Sequence, residues 1–342
     1  MNTNRLVTDL FRFESDRAMH LHAHRGSLKG FASSNGRLLQ EALADDRAIR
    51  AHLEIPAALQ RHPLPSGVRR ALAEHLSLPL PQTMPVSHEA ILRASEFVEE
   101  VFDLDLSHVQ VVTADPVVMQ PDSMGVVYSH GYRSHVVVAP SEHFDPCGML
   151  VYQFAIAAHY VSMRSSPELE AMITDHTAQA MVGFYATVLW SQREPGSALA
   201  YQLRNLARWE VASGLSNSAK MPMGFIVSDL GVSLLKDYGG DLFRSIVTEL
   251  YEILPDGQGI WFGATGYAGA LLGIGLASEE DALRLLMVPS GLGMTLEERL
   301  GLVGFADLTG LLRAADQFIG HVLGMPSDQA LQSSEAVCGG SA

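Results

Sequence analysis

Apolar residues recur at intervals of three and four along much of the chain, which is the spacing of one helix face. Between positions 36 and 53 the recurring apolar side chains are Leu38, Leu39, Leu43, Ile49 and Leu53. The same pattern predicts helices over Ser66–Leu76 and Ser87–Phe102. Ser87 is suited to cap the second of these, and Glu89 falls in its first turn, where a carboxylate favours the helix dipole.

A different pattern, of short runs rich in β-branched residues, follows a proline-rich connector at Leu78–Pro85. These runs predict strands at His108–Thr113 and Ser134–Ala139, with a further short strand at Gly125–Tyr128. From Asp145 onward the pattern is helical again, and prolines separate its segments: Pro167, Pro195, Pro222, Pro255 and Pro289. Early strands followed by helices predict an α+β, mostly helical fold, in which a small twisted sheet precedes a helical core.

The prolines of the connector mark the best candidate for a domain boundary. We expect a helical N-terminal region over residues 1–85 and an α+β domain over residues 86–325. Residues 326–342 are small and polar, and we expect them to form a disordered tail.

The chain has 342 residues, of which 47% are apolar and only 18% charged, a composition that excludes a wholly disordered protein. It has 38 Asp and Glu against 23 Lys and Arg, a formal net charge of −15. The first 75 residues hold 11 basic and 8 acidic side chains, so the acidity belongs to the later part. Nucleic-acid binding needs clustered Lys and Arg, and the composition therefore argues against nucleic acid as a partner.

The two cysteines, Cys147 and Cys338, are far apart in the sequence, so we expect no structural disulfide and a cytoplasmic location. The N-terminus lacks the apolar run of a signal peptide. Ile260–Ala277 is uncharged over eighteen residues, but it holds five glycines and has no basic flanking residues. We expect a buried, glycine-rich helix there and no membrane association.

The segment from Ser134 to Thr187 predicts a strand, a short loop and two helices separated by Ser165-Ser166-Pro167. The first of these helices contains the run LVYQFAIAAH at residues 150–159. This arrangement resembles the active-site core of the zincin metallopeptidases, in which an edge strand precedes a helix bearing HExxH and a second helix supplies a third ligand. In that motif two histidines one turn apart bind Zn²⁺, and the glutamate activates the metal-bound water.

The resemblance places Tyr152 and Ile156 where the two histidine ligands would be, and Gln153 where the general base would be. In the gluzincin branch the third ligand lies nineteen positions after the second histidine, which is Asp175 here, beside His176. Isoleucine cannot bind zinc, and a glutamine amide does not titrate. We therefore expect neither metal nor other cofactor, no zinc peptidase activity, and a retained cleft lined by these five positions together with His159.

Two further resemblances are looser. The run from Val138 to Gln153 is similar to the approach to the motif in HExxH-type proteins associated with the modification of ribosomal peptides. Val227–Leu250 resembles the late helices of many gluzincins. Its centre, residues 237–241, also fits an ordinary turn between helices, with glycine as C-cap and Asp241 as the next N-cap.

The chain has fourteen histidines, some of which cluster. His20, His22 and His24 alternate, so on a strand they would share one face and could hold a metal. A solvated or interface segment is the alternative interpretation.

A second set of histidines, near the motif, comprises His130, His135, His143, His159 and His176. His159 lies one turn beyond Ile156, so it shares a helix face with the position of the missing ligand. His159, His176 and Asp175 are therefore candidates for a rebuilt acid–base or metal site. Satisfied core or surface histidines are the alternative.

Gly263–Gly269 reads GATGYAG, like the phosphate-binding loop of some nicotinamide-dependent reductases. Such a loop works only between a buried strand and a helix, and here only Ile260, Trp261 and Phe262 precede it. Close helix packing by glycines is the alternative. Cys147 stands just before the motif helix, where a helix N-terminus would lower the thiol pKa and make it reactive.

These patterns predict a non-catalytic, zincin-like protein, a pseudo-metallopeptidase, that binds a peptide or protein partner, within a biosynthetic or modification pathway. One alternative is a tailoring enzyme of peptide or natural-product biosynthesis that uses His159, His176 and Asp175. A further alternative is a nucleotide-dependent oxidoreductase that uses Gly263–Gly269. An oligomeric state is compatible with all three.

Overall fold

The computed structural model describes residues 55, 57–130, 134–164, 176–194, 199–217, 222–253, 258–277, 295–302, 304–305 and 308–325. The predicted helix at 36–53, the three alternating histidines of the N-terminus, Asp175 and the tail at 326–342 lie outside the described residues.

The first part of the described chain contains helices and all of the strands. These elements are α1 (Ala57–Gln60), α2 (Ser66–Ser77), β1 (Met84–Pro85), α3 (His88–Phe102), β2 (Gln110–Ala114), β3 (Val126–His130), β4 (Ser134–Pro140) and β5 (Glu142–His143). The helices and strands predicted within residues 66–139 are confirmed, with ends that fall within two residues of the prediction.

The rest of the described chain is helical. Its helices are α4 (Pro146–Arg164), α5 (His176–Arg193), α6 (Leu199–Gln202), α7 (Arg204–Asn217), α8 (Pro222–Ile226), α9 (Asp229–Tyr238), α10 (Gly240–Ile253), α11 (Gln258–Leu276), α12 (Leu296–Leu302) and α13 (Thr309–Val322). The predicted α+β, mostly helical fold with a small sheet is confirmed.

The sheet has β4 at its centre, with β2 parallel to it on one side and β3 antiparallel on the other. Alternate residues of β4 point to opposite faces, as strand geometry requires. One face carries Val137 and Ala139, which are fully buried in the main core and lie on the side where α4 packs. The sheet therefore supports the helix that contains the zincin-like run.

Local sequence signals explain where α3 begins and ends. The Ser87 side chain accepts a hydrogen bond from the amide of Ala90, and Glu89 lies in the first turn, as predicted. The helix ends at Asp103, which adopts the left-handed conformation with φ of 52°. This helix packs against α4.

The turn between α9 and α10 differs in detail from the prediction. Gly239, with φ of 81°, is the C-cap of α9, as expected. However, α10 begins at Gly240, so Asp241 lies in the first turn and is not the N-cap. The amide of Phe243 bonds to the carbonyl of Gly239, so this one glycine flanks both helices.

Helix α11 is the buried, glycine-rich helix that the sequence predicts. It packs closely on α5, and also on α7 and α13. A Cβ atom at Gly269 would lie 2.3 Å from the carbonyl oxygen of Thr177, and one at Gly273 would lie 2.2 Å from that of Met181. In the described part of the chain, no helix has both the length and the apolarity that a membrane span requires.

Residues 55–77 contribute to the same core as the later helices, through Ile55, Leu59, Val68 and Leu72. The N-terminal region predicted for residues 1–85 is described only from residue 55, so its boundary stays a prediction.

The contact between α11 and α5 can be tested by adding one methyl group. We expect Gly273→Ala to lower the free energy of unfolding by about 1–3 kcal/mol, because the new Cβ would force backbone away from backbone. Urea denaturation followed by circular dichroism measures this change. Gly310→Ala, at a helical glycine with open space around it, is the control and should be neutral or stabilising by up to about 1 kcal/mol. Equal effects of the two substitutions would contradict the close contact.

Candidate functional site

Helix α4, which carries the zincin-like run, is buried on every side. Its N-terminus is capped by Asp145, whose carboxylate accepts from the amide of Gly148 at 3.0 Å. All residues from Met149 to Tyr160 are buried. A helix that is buried all round has neighbours on each face, and here these are α3, α5 and the sheet.

Tyr152, at the position of the first missing ligand, points into the interface with α5. Its ring meets that of Phe184 edge to face, with the centroids 5.5 Å apart. Gly183 makes room for it, because a Cβ there would lie 2.5 Å from the Tyr152 ring. Burial raises the pKa of the Tyr152 hydroxyl, so it stays neutral. This side chain is a packing element and does not present a metal ligand.

Gln153, at the position of the general base, is buried and faces the loop before β3. Its amide Nε2 donates to the carbonyl oxygen of Met124. Its Oε1 is buried and accepts no hydrogen bond from the described residues. Through the bond to Met124, Gln153 anchors this loop to α4. The adjacent Gly125 has φ of 77°, and a Cβ there would lie 2.7 Å from the carbonyl oxygen of Val138, so the loop also lies close to β4.

Ile156, at the position of the second missing ligand, is part of the hydrophobic core. With Tyr152 packed on α5 and Gln153 bonded to a carbonyl, the three motif positions hold no group that binds zinc. The residues present therefore do not fit the metal that the zincin resemblance implies.

His176 is the first residue of α5, and it faces α11. Its Nδ1 lies 2.8 Å from Thr265 Oγ1, and its ring meets Phe262 edge to face. The Thr265 hydroxyl also lies within hydrogen-bond distance of the carbonyl oxygen of Phe262, at 3.0 Å, so it links the His176 ring to α11. Burial lowers the pKa of His176 to about 4, so the ring is neutral at physiological pH.

His159 is buried in α4, where its ring centroid lies 6.3 Å from that of Tyr160. The third residue of the predicted rebuilt site, Asp175, lies outside the described residues. Among the residues that are described, no three His, Cys, Asp or Glu side chains lie close enough together to hold a metal ion. The grouping of His159, His176 and Asp175 stays a prediction.

His135 and His143, two further histidines near the motif, are engaged in local contacts. Nδ1 of His135 lies 3.0 Å from Ser129 Oγ, across the β3–β4 pair. Nδ1 of His143 accepts from the amide of Asp145, so its proton is on Nε2, which has no partner among the described residues. Burial lowers the pKa of His143, so this ring is also neutral.

The structure does not support the alternative of a reactive Cys147. The residue does lie in the first turn of α4, but burial raises the pKa of its thiol, and this outweighs the nearby Arg93. A thiol with a raised pKa is a poor nucleophile at neutral pH.

The prediction of a phosphate-binding loop at Gly263–Gly269 is also wrong. These residues lie inside α11 and do not form a turn between strand and helix. Gly263 and Gly266 face α7, where a Cβ would lie 2.3 Å from Ala212 Cβ and 3.1 Å from the Trp209 ring. The alternative, close helix packing by glycines, is confirmed.

A buried ionic network that the motifs of the sequence do not indicate is centred on Arg69. Nη2 of Arg69 lies 2.9 Å from Glu210 Oε1, and its Nη1 lies 3.2 Å from Asp237 Oδ2. Glu210 also accepts from the Tyr238 hydroxyl at 2.7 Å and from the amide of Leu64 at 2.7 Å. Burial alone would lower the pKa of Arg69, but the Glu210 carboxylate raises it above its usual value. This network joins α2, α7 and α9.

A signal for this network does exist in the sequence. Arg69 stands between Val68 and Leu72 in the apolar pattern of α2, and all three are buried. An arginine beside the apolar stripe of a helix must find a carboxylate if it is buried. The sequence does not show which of the 38 acidic residues supplies it.

The neutral state of His176 can be tested by titration. We expect the ¹H resonance of its Cε1 to titrate with a midpoint near pH 4 in the folded protein, against about 6.5 for an unfolded chain. Because the unfolded state binds the proton first, this group lowers stability as pH falls from about 6.5 towards 4, by at most about 3 kcal/mol. His176→Gln should remove that part of the pH dependence. A midpoint near 6.5 would contradict the burial of this ring.

The buried ion pair can be compared with an exposed one by the same substitution. Glu210→Gln leaves Arg69 buried with a weakened partner, so we expect a loss of about 3–5 kcal/mol in the free energy of unfolding. Glu194→Gln alters the exposed pair with Arg93 and should cost less than about 1 kcal/mol. Urea denaturation of both variants measures the difference. Similar losses would show that the Arg69 network is not a stabilising element of the core.

Comparison with known proteins identifies no relative of this chain: no family model, no curated protein and no solved structure matches it. The likeness to the zincins therefore rests on the run at residues 150–159 and on its spacing from Asp175.

Proposed function

We propose that this chain is a non-catalytic, zincin-like protein that binds a peptide or protein partner. The observation that carries the proposal is the state of the three motif positions on α4. Tyr152 is packed against Gly183 and Phe184, Gln153 is bonded to the carbonyl of Met124, and Ile156 lies in the core. A zinc peptidase needs ligands and a base at these positions, whereas a binding protein needs only the scaffold around them.

The arrangement of the strands supports a binding role. β3 is at an edge of the three-stranded sheet and runs antiparallel to β4, which leads through β5 into α4. An edge strand presents unpaired amides and carbonyls, to which an extended peptide can add as a further strand. Such binding uses main-chain hydrogen bonds and requires no metal.

A second candidate function is a tailoring enzyme with a rebuilt site. The observation that favours it is His176, whose ring is neutral at physiological pH, as a general base requires. Its pKa of about 4 makes it a weak base, however, because efficient proton transfer favours a pKa near the working pH. For this reason the binding role is our first proposal.

Measurements of bound zinc and of peptide hydrolysis test the proposal that the chain is not a zinc peptidase. We expect the chain, purified without chelators, to contain far less than one zinc per molecule, to show no thermal shift with added Zn²⁺, and to leave a library of unstructured peptides uncleaved. Stoichiometric zinc that is lost on His159→Ala would contradict the proposal and favour the rebuilt site. His159→Gln, which keeps the size and polarity of the side chain, controls for loss of folding.

Hydrogen exchange tests the binding role directly. We expect peptides selected from a random displayed library to slow amide exchange in Val126–His130, because β3 gains hydrogen bonds when a strand is added. Amides of α13, far along the chain, serve as the internal control. If no library peptide binds, or if bound peptides leave β3 exchange unchanged, the edge of β3 is not the binding site.

A further inference from the structure

On the face of the sheet turned away from α4, apolar side chains predominate and are open to solvent. Gln110, which lies beside Val136, and Ser134 are exposed polar residues of the same face. The strand register places Val112, Val138 and Val126 side by side, and Val136 beside Tyr128. We call these five residues the valine face. Val112 is 50% exposed and Tyr128 is 44% exposed, and the other three are half-buried. Side chains on the solvent-facing side of a sheet are normally polar. An exposed sheet face rich in apolar side chains therefore indicates a contact surface.

The valine face continues into an exposed turn at one end of the sheet. Directly after β2, Asp115 caps a turn by accepting from the amide of Val117 at 2.9 Å. This turn exposes Val117 by 91% and Val118 by 80%. Two adjacent valines at the tip of a turn are costly to leave in water and add to the apolar surface.

Carboxylates surround the same end of the sheet. Asp115 follows β2, Asp122 lies in the loop before β3, and Glu142 follows β4. The hydrogen bonds from Ser141 N to Ala114 O and from Val86 N to Ser141 O join these chain segments at this end. The three carboxylates therefore flank the exposed apolar surface.

The part of the chain that contains the sheet is strongly acidic. Residues 71–145 hold eleven Asp and Glu but only two arginines, a net charge of −9 out of −15 for the whole chain. One of those arginines, Arg93, is engaged with Glu194 of α5 at 2.9 Å. An apolar surface within such a field attracts a partner of positive charge and repels acidic ones.

We propose that the valine face binds a cationic segment of a partner polypeptide, in which apolar side chains cover the valines and Lys or Arg side chains pair with Asp115, Asp122 and Glu142. This inference rests on the partner-binding role proposed above, and it adds the chemistry of the partner and a second surface. A segment whose apolar side chains lie on the valines, and whose flanking Lys or Arg side chains reach the end of the sheet, satisfies both features at once. A second copy of this acidic chain would meet charge repulsion at the same place.

Two synthetic peptides of equal length distinguish charge from apolar contact. One has the sequence Lys-Val-Thr-Val-Lys-Val-Thr-Lys, and the other has glutamate in place of each lysine. We expect the lysine peptide to bind the full chain at 20 mM salt and the glutamate peptide to bind at least about tenfold more weakly. The difference should shrink at 0.5 M salt, because ions screen exposed charges. Equal binding of both peptides, or no binding of the lysine peptide, would overturn the inference.

Variants of the chain locate the surface. Asp115→Asn, Asp122→Asn and Glu142→Gln together remove three charges, and we expect them to weaken lysine-peptide binding by about tenfold at low salt. Asp229→Asn, Asp241→Asn and Glu297→Gln, on exposed positions of α9, α10 and α12, are the matched control and should leave binding nearly unchanged. If the two triple variants have the same effect, binding follows net charge alone and the proposed surface is wrong.

Two substitutions that leave the net charge unchanged test how much the apolar side chains of the valine face contribute to binding. Val112→Thr with Tyr128→Ser keeps the strands but makes the face polar, and it should weaken binding several-fold at both salt concentrations. Val227→Thr with Val232→Thr, at exposed valines beside and within α9, is the control. Circular dichroism and the unfolding midpoint verify that each variant is folded.

The failure of this inference can be told apart from failure of the proposed function. If library peptides protect β3 from exchange while the lysine peptide does not bind, the partner role holds and the cationic surface is wrong. Self-association of the chain that is abolished by Val112→Thr with Tyr128→Ser would assign the valine face to a second copy and would also overturn the inference.

Discussion

Close contact between helix backbones, made possible by glycines, determines how the central helices of this protein pack together. On one side of α5, Gly269 and Gly273 let α11 approach the carbonyls of Thr177 and Met181. On its other side, Gly183 lets the ring of Tyr152 lie against it. Because packed interiors resist the addition of even one methyl group, these contacts determine the positions of α4, α5 and α11 together.

The same packing decides what chemistry α4 can support. A metal site on a helix needs one face that turns its ligands toward an open cavity. In this chain the corresponding face of α4 is occupied by packing contacts. Tyr152 fills the space over Gly183, and Gln153 is hydrogen-bonded to the loop at Met124. The residues at the three motif positions therefore supply packing and loop anchoring.

Local signals in the sequence were sufficient for most elements, because their causes are local. Ser87 caps α3, prolines and glycines end helices, and β-branched runs form the strands. The pairing of Arg69 could not be predicted: its place in the apolar pattern of α2 indicates a buried arginine, but Glu210 lies 141 positions away and nothing in the sequence connects the two. The environment of His176 depends likewise on Thr265 and Phe262 of a distant helix, and no pattern around residue 176 indicates that its pKa is lowered.

Arginines of the helices form ion pairs with carboxylates both in the core and on the surface. Arg69 is buried against Glu210 and Asp237, while Arg93, Arg193 and Arg208 pair with glutamates on the helices. Strands β1 to β5 carry no Lys or Arg. The stretch from Asp103 to Asp145 contributes six carboxylates and a single arginine, at position 133. The segment that contains the sheet therefore has a negative field, which is the field that the proposed cationic partner requires.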